Sequence, residues 1–137
     1  MTTDPDYRAL AQLRFEIRRF LAFSEEAAHG AGVEPRQHQL LLQLRGLPVG
    51  LRPNIRTVSE RLHIKHHSAV ELVARAEAAG LILRTRSPED GREVLLALTP
   101  RGEAVLEGLT RSHRDELRTR GPRLIDALGT LLAEEGR

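Results

Sequence analysis

The spacing of apolar residues changes twice along this chain: helical up to residue 80, alternating between 81 and 98, and helical again beyond. Leu10, Leu13, Ile17, Phe20 and Leu21 recur at steps of three, four, three and one, which places them on one helical stripe. Asp4-Pro5 offers that helix a capping side chain and a first-turn proline, and Gly30 and Gly32 offer it an end. Pro35 opens a second helix, in which Leu40, Leu41, Leu42 and Leu44 occupy more than one side and predict deep burial. The stretch 46–53 holds two glycines and two prolines and reads as a loop. Asn54 then caps a third helix with Ile55, Val58, Ser59 and Leu62 turned inward, although Thr57 with Glu60 also matches a capping box and offers a later start. His63 and Ile64 form a corner. A fourth helix over 65–79 turns Ala69, Leu72, Val73 and Ala76 inward until Gly80 stops it as a left-handed cap.

Past Gly80 the pattern becomes that of a hairpin. Residues 81–86 and 93–98 read as strands, joined through Ser87-Pro88-Glu89-Asp90-Gly91, a strong turn signal. Arg92 sits at the tip, and Arg84 and Arg86 lie on the first strand. Thr99-Pro100 opens a fifth helix through Val105, Leu109 and Leu117. Gly121-Pro122 is expected to break it, leaving a sixth helix with Leu124, Leu128, Leu131 and Leu132 on one face. The fold class expected is mainly α with a small β-hairpin wing, a winged helix-turn-helix whose terminal helices form a dimerisation region. The expected division is an N-terminal dimerisation helix over 1–34, a winged helix-turn-helix over 35–100, and C-terminal dimerisation helices over 101–137, within one structural domain. The terminal helices carry more apolar surface than a winged-helix core of about 60 residues can cover, which independently predicts a homodimer.

Composition narrows the chemistry. The chain has 137 residues, enough for one domain with its own core. With no cysteine there is no disulfide, thiolate metal site or cysteine nucleophile. No apolar run is long enough to span a bilayer, so no membrane partner is expected. The start is polar and lacks the form of an export signal, which places the protein in the cytoplasm. The net charge is +2, yet residues 45–101 carry +4 and the flanks together −2. A basic middle between mildly acidic ends suits a polyanion. Lys65 is the only lysine; the remaining basic residues are arginines, whose planar forks match phosphate and guanine.

A short helix, a tight corner, a second helix and an arginine-bearing hairpin together point to double-stranded DNA. A helix held clear of the surface fits the major groove and reads base edges through its first residues. Lys65 and Ser68 suit phosphate oxygens; His66 and His67 can donate to guanine or thymine acceptors; Val70 can meet a thymine methyl. Glu71 repels phosphate and needs a cytosine amino group or an arginine, and Arg75 lies a turn further on. Arg92 is placed to enter a minor groove. His63 and His67 stand four apart, but no carboxylate completes a ligand set, so no metal is expected. His38 and His113 read as satisfied core histidines. Phe15, Phe20 and Phe23 all fall in the first helix, as core or dimer contacts or as the lining of a small-ligand pocket. No nucleophile elbow, phosphate loop, paired-carboxylate motif or zinc signature is present, so neither an enzyme nor a cofactor is expected.

Four segments carry a resemblance. They are PRQHQLLLQLRG at 35–46, SERLHIKHHSAVELVARAEAAGLILR at 59–84, SPEDGR at 87–92 and LALTPRG at 96–102. In these the chain resembles the MarR family of transcription regulators, with the Asp90-x-Arg92 wing and the Leu-Thr-x-x-Gly of 98–102 the most specific elements. The resemblance implies a homodimer joined through its first and last helices. It implies the fourth helix in the major groove, Arg92 in the minor groove, and Asp90 buttressing the wing. It further implies repression relieved by a small, often phenolic or aromatic, ligand. The chain departs from the family at Lys65, where Asp or Ser is usual, at Glu71, where basic or small residues are usual, and at Gly91, which loosens the wing tip. The rival expectation is a winged-helix module that binds protein rather than DNA.

Overall fold

The computed structural model describes residues 1–133. Its elements are α1 (Asp4–Gly30), α2 (Pro35–Arg45), α3 (Ile55–Leu62), α4 (His66–Ala78), β1 (Ile82–Arg86), β2 (Val94–Leu98) and α5 (Pro100–Leu132). Two compact units result, one from residues 28–109 and one from 1–27 with the chain after residue 109.

In the unit of residues 28–109, the inward faces expected from the sequence meet. Ala69, Leu72, Val73 and Ala76 of α4 are buried, with Val58 of α3 and Leu40 and Leu41 of α2. The core continues into the hairpin through Leu81, Ile82 and Leu96, and into α5 through Leu106 and Leu109. Leu42 is an exception to the deep burial expected of α2: it stays on the surface. β1 and β2 pair antiparallel, Ile82 opposite Leu98 and Arg86 opposite Val94. The backbone N–H of Leu96 also donates to the carbonyl of Pro53, at 2.8 Å, so the loop before α3 is tied to β2.

Caps explain where these helices begin and end. Asn54 is the N-cap of α3, its Oδ1 accepting from the Thr57 amide at 2.9 Å, and the later start at Thr57 is not taken. His63 closes α3 in the left-handed region, φ 54° and ψ 45°, a conformation for which histidine is one of the more tolerant residues. The Ser59 hydroxyl donates to the Ile64 carbonyl at 2.6 Å and pins the corner. At the end of α4, Leu81 N–H bonds to Ala76 O and Gly80 N–H to Glu77 O. With Gly80 at φ +76°, this is a Schellman ending. One cap differs from expectation: α1 is capped by Thr3 rather than Asp4. Asp6 Oδ2 accepts from the Thr3 amide and the Asp6 amide donates back to Thr3 Oγ1. The Thr3 amide and then the Thr3 hydroxyl, both donating to the carboxylate, hold the Asp6 carboxyl below the usual carboxylate range.

α5 starts at a crowded junction. Thr99 Oγ1 donates to the Gly80 carbonyl at 2.6 Å and accepts from the Gly102 amide at 3.0 Å, while the Thr99 amide donates to the Leu81 carbonyl. A Cβ on Gly102 would lie 2.1 Å from that carbonyl oxygen. The Leu-Thr-x-x-Gly segment therefore holds threonine to bridge two helix ends and glycine because backbone fills the space.

The expected break at Gly121-Pro122 does not occur: α5 runs through Pro122 to Leu132, so one helix stands where two were expected. Proline removes one intrahelical hydrogen bond, but Gly121 lacks the Cβ that would otherwise help drive the residue before proline out of helical geometry. The last four residues of the expected C-terminal region, 134–137, lie outside the described residues.

In the second unit, α1 meets α5 through Ala9, Glu16 and Ser24, spaced seven and eight apart and all buried. The Arg120 guanidinium grips Glu16 with both oxygens, Nε to Oε2 at 3.1 Å and Nη2 to Oε1 at 2.8 Å, and Gln12 donates to Oε1 at 3.0 Å. Arg120 holds the Glu16 carboxyl below its ordinary range. His113 Nε2 meets Ser24 Oγ at 2.9 Å, with the rings of Phe20 and Phe23 edge-on to the imidazole. Only part of the apolar stripe read from the sequence turns to this contact: Leu13 and Phe20 are half-buried, while Leu10, Ile17 and Leu21 remain exposed, as do Phe15 on α1 and Ile125, Leu128 and Leu132 on α5.

Two stability predictions follow from these contacts. Gly102→Ala should cost about 2–3 kcal/mol through overpacking. Gly108→Ala, whose Cβ meets nothing within 4 Å, should gain up to about 1 kcal/mol, and thermal melts of the two should move in opposite directions. Glu16→Leu strands Arg120 and should lower Tm more than Glu16→Leu combined with Arg120→Met, because a buried pair broken on one side is worse than one replaced on both.

Candidate nucleic-acid interface

The buried face of α4 leaves the opposite face to solvent. Lys65 is the N-cap in extended geometry and supplies no acceptor to the first turn, so no side chain caps α4 and its N-terminus keeps its partial positive charge. His66, His67, Val70, Glu71 and Arg75 are exposed and Ser68 is half-buried. One turn of helix thus presents an ammonium, two imidazoles, a hydroxyl and an apolar side chain around open N–H groups.

The hairpin lies next in the chain. Arg92 is exposed at the tip, and its amide donates to Asp90 Oδ1 at 3.0 Å. Its guanidinium has no partner among the described residues. Asp90 also accepts through its carbonyl from the Glu93 amide at 3.0 Å. Its own amide donates to Ser87 Oγ at 3.3 Å, so all three Asp90 bonds stay within the loop that carries Arg92.

The other arginines expected at this surface are engaged within the chain. Arg75 pairs with Glu34, whose side chain also takes part in the capping box of α2. Arg84 Nε donates to Glu77 Oε1 at 3.0 Å, and Arg86 donates to the Gly91 carbonyl at 2.8 Å. Glu71 has no ion-pair partner among the described residues. It lies with Ser68, Arg36, Leu72, Glu34 and Arg75 around an open cleft of about 320 Å³.

Sequence reading assigned no role to a network at the base of the wing. Arg52, in the loop before α3, donates to Glu93 Oε1 at 2.7 Å and to Ser87 Oγ at 3.2 Å. Asn54 donates from Nδ2 to Glu93 Oε2 at 2.9 Å while its Oδ1 caps α3. Hydrogen bonds from Arg52 and then Asn54 hold the Glu93 carboxyl below its usual range, and Glu93 in turn raises Arg52. The pairing spans 41 residues, which no local pattern reveals; the only signal was an acidic residue placed where the second strand begins, beside Arg92.

His38 is buried beside Gln39, and no buried side-chain nitrogen or oxygen lacks a hydrogen-bond partner among the described residues. Among those residues no group of three His, Asp or Glu side chains is placed to hold a metal ion, and no helix is long and apolar enough to cross a membrane.

Residues 31–93 match the family model described as MarR family. Solved structures similar to the chain include a probable transcriptional regulator from Pseudomonas aeruginosa, 28% identical, covering 80% of this chain and 80% of that one with a TM-score of 0.60. A MarR-family transcription regulator is 26% identical over 82% of this chain and 73% of its own, with a TM-score of 0.72. A point mutant of MepR from S. aureus, bound to an oligodeoxyribonucleotide, is 20% identical over 98% of this chain and 88% of its own, with a TM-score of 0.65. No curated protein matches the chain.

Because the Glu93 carboxyl is depressed, its contribution to stability is fully present above the ordinary glutamate range, about 4.3, and is lost as pH falls through the depressed value. Wild-type Tm should therefore fall more steeply below about pH 4.5 than the Tm of Glu93→Gln, with melts across the acid range as the measure.

Proposed function

Residues 31–93 match the MarR family model, and from that premise we propose that the chain is a MarR-family transcription regulator that binds an inverted-repeat DNA operator as a homodimer. The observation that carries this reading is the uncapped start of α4, presenting Lys65, His66 and His67, with the Arg92 guanidinium of the wing free of partners among the described residues. Lys65 and Ser68 take phosphate; His66, His67 and Val70 face base edges; Arg92 enters the adjacent minor groove. Asp90 holds the Arg92 backbone. The MepR structure, which contains an oligodeoxyribonucleotide, supports DNA as the partner.

Dimerisation accounts for the exposed apolar residues of the terminal helices, among them Leu21, Ile125 and Leu132. A second copy related by a two-fold axis buries them and sets two α4 helices about one DNA turn, ~34 Å, apart. Repression relieved by a small aromatic ligand, acting by shifting the dimer to a spacing that fits one half-site poorly, completes the reading. Such coupling of about 1–3 kcal/mol changes affinity some five- to 150-fold.

Fluorescence anisotropy against the gene's own upstream DNA and a scrambled duplex tests the proposal. The regulator reading predicts binding to the first about 10³-fold tighter or more. Equal, weak binding to both would favour a protein-interaction module instead. Arg92→Ala should weaken binding to every sequence and lower the salt slope by about one unit per protomer, whereas His67→Ala should change preference at one or two base pairs by about 1–3 kcal/mol.

The internal pairing of Arg75, Arg84 and Arg86 bears on the same titration. Of the five basic residues expected at the interface, Lys65 and Arg92 have no internal side-chain partner among the described residues, so the slope of log K against log salt should be about −4 for the dimer. A slope near −9 would mean that all five basic residues displace counterions and that the internal pairs open on binding.

A further inference from the structure

The network at the base of the wing has a geometry that matters for where Arg92 sits. The β1–β2 ladder ends at Arg86 opposite Val94, and residues 87–93 form the loop beyond it. Ser87 and Glu93 are the two feet of that loop, joined by Ser87 N–H to Glu93 O at 2.9 Å. Arg52 grips both feet from outside the hairpin: one guanidinium donates to Ser87 Oγ and to the Glu93 carboxylate. Ser87 Oγ also accepts from the amides of Glu89 and Asp90, each at 3.3 Å. The second Glu93 oxygen is held by Asn54, the residue that caps α3, and α3 packs on α4. A continuous chain of polar contacts thus runs from the start of α3 to the residues flanking Arg92.

We propose that Arg52 is the positioning residue for Arg92: its fork on Ser87 and Glu93 fixes the wing tip relative to the first turn of α4, and so sets the geometry with which the wing meets DNA. This rests on the DNA-binding reading above. A two-stranded hairpin is marginal by itself, and a loop that must be ordered when the ligand arrives weakens binding by the ordering it requires. A guanidinium fork fixes direction as well as distance, which a single ammonium cannot do. Glu93 keeps Arg52 from the phosphates in this arrangement, so the arginine acts through Arg92 and not by touching DNA itself.

The test combines a measurement without DNA and one with it. Amide hydrogen exchange of the free protein should show faster exchange over 89–92 in Arg52→Met than in wild type, with α4 unchanged and Arg52→Lys restoring little. Unaltered exchange over 89–92 overturns the proposal whatever DNA does. Anisotropy titrations of wild type, Arg52→Met, Arg92→Ala and the double variant then form a cycle. Arg52→Met should weaken binding about tenfold in the wild-type background and less than about twofold where Arg92 is already absent. Equal losses in both backgrounds, with the salt slope falling by about one unit per protomer, would show that Arg52 contacts phosphate directly and would overturn a positioning role. A wild-type protein that binds no DNA in preference to a scrambled duplex overturns the regulator reading and this one together, whereas specific wild-type binding with an additive cycle overturns this one alone. Should Arg52→Met not fold, Glu93→Gln preserves side-chain shape, weakens the same grip, and is expected to give the same cycle.

Discussion

The burial of one face of α4 constrains nearly everything else in the unit of residues 28–109. Ala69, Leu72, Val73 and Ala76 bring α4 against α3 and α2, and small residues at two of the four positions let the backbones approach. Once that face is fixed, the opposite one is committed to solvent, and Lys65, His66 and His67 fall on the free first turn. The end of α4 is equally determined. Gly80 reverses the chain in left-handed geometry, Leu81 enters the core, and its carbonyl receives the Thr99 amide at the start of α5. Gly102 leaves room for that carbonyl. One packed helix thus sets the start of the hairpin and the start of the last helix.

Electrostatics separates Arg52, Arg75, Arg84 and Arg86, which are engaged within the chain, from Arg92, which is not. Arg75, Arg84 and Arg52 each meet a carboxylate, and Arg86 meets a carbonyl. Exposed pairs of this kind contribute little stability individually, but they reduce the positive charge that reaches a polyanion. Arg92 keeps its full charge because its local partner, Asp90, accepts from its backbone and not from its guanidinium. The basic middle segment of the sequence is therefore less basic, as a surface, than its count of arginines suggests. Glu71 adds a free carboxylate on the same helix, so specificity should come more from the shape and hydrogen bonding of the first turn than from charge.

Much of this was legible in the residues. Period and cap signals located α3, the corner, α4 and the hairpin, because each depends on contacts within a few positions: Asn54 with Thr57, Gly80 with α4, Thr99 with Gly102. What could not be read were features decided elsewhere. Gly121-Pro122 looks like a break, yet the pair tolerates helical geometry in the middle of a long helix. The stripe Leu10, Leu13, Ile17, Phe20, Leu21 looks like the inner face of α1, yet Leu10, Ile17 and Leu21 are exposed, and Phe20 meets α5 beside a contact headed by Glu16, which pattern alone assigns to solvent. The engagement of Arg52 with Glu93, and of Arg75 with Glu34, joins residues 41 apart in the chain.

Hydroxyl-radical footprinting of the full-length protein on its own upstream DNA addresses the central claim, that the first turn of α4 and the tip of the wing meet the duplex together. The account predicts two protected segments with centres about ten base pairs apart, each flanked by a minor-groove protection that Arg92→Ala removes while the two central segments survive. A single asymmetric protected stretch, or flanking protections that persist without Arg92, would contradict it.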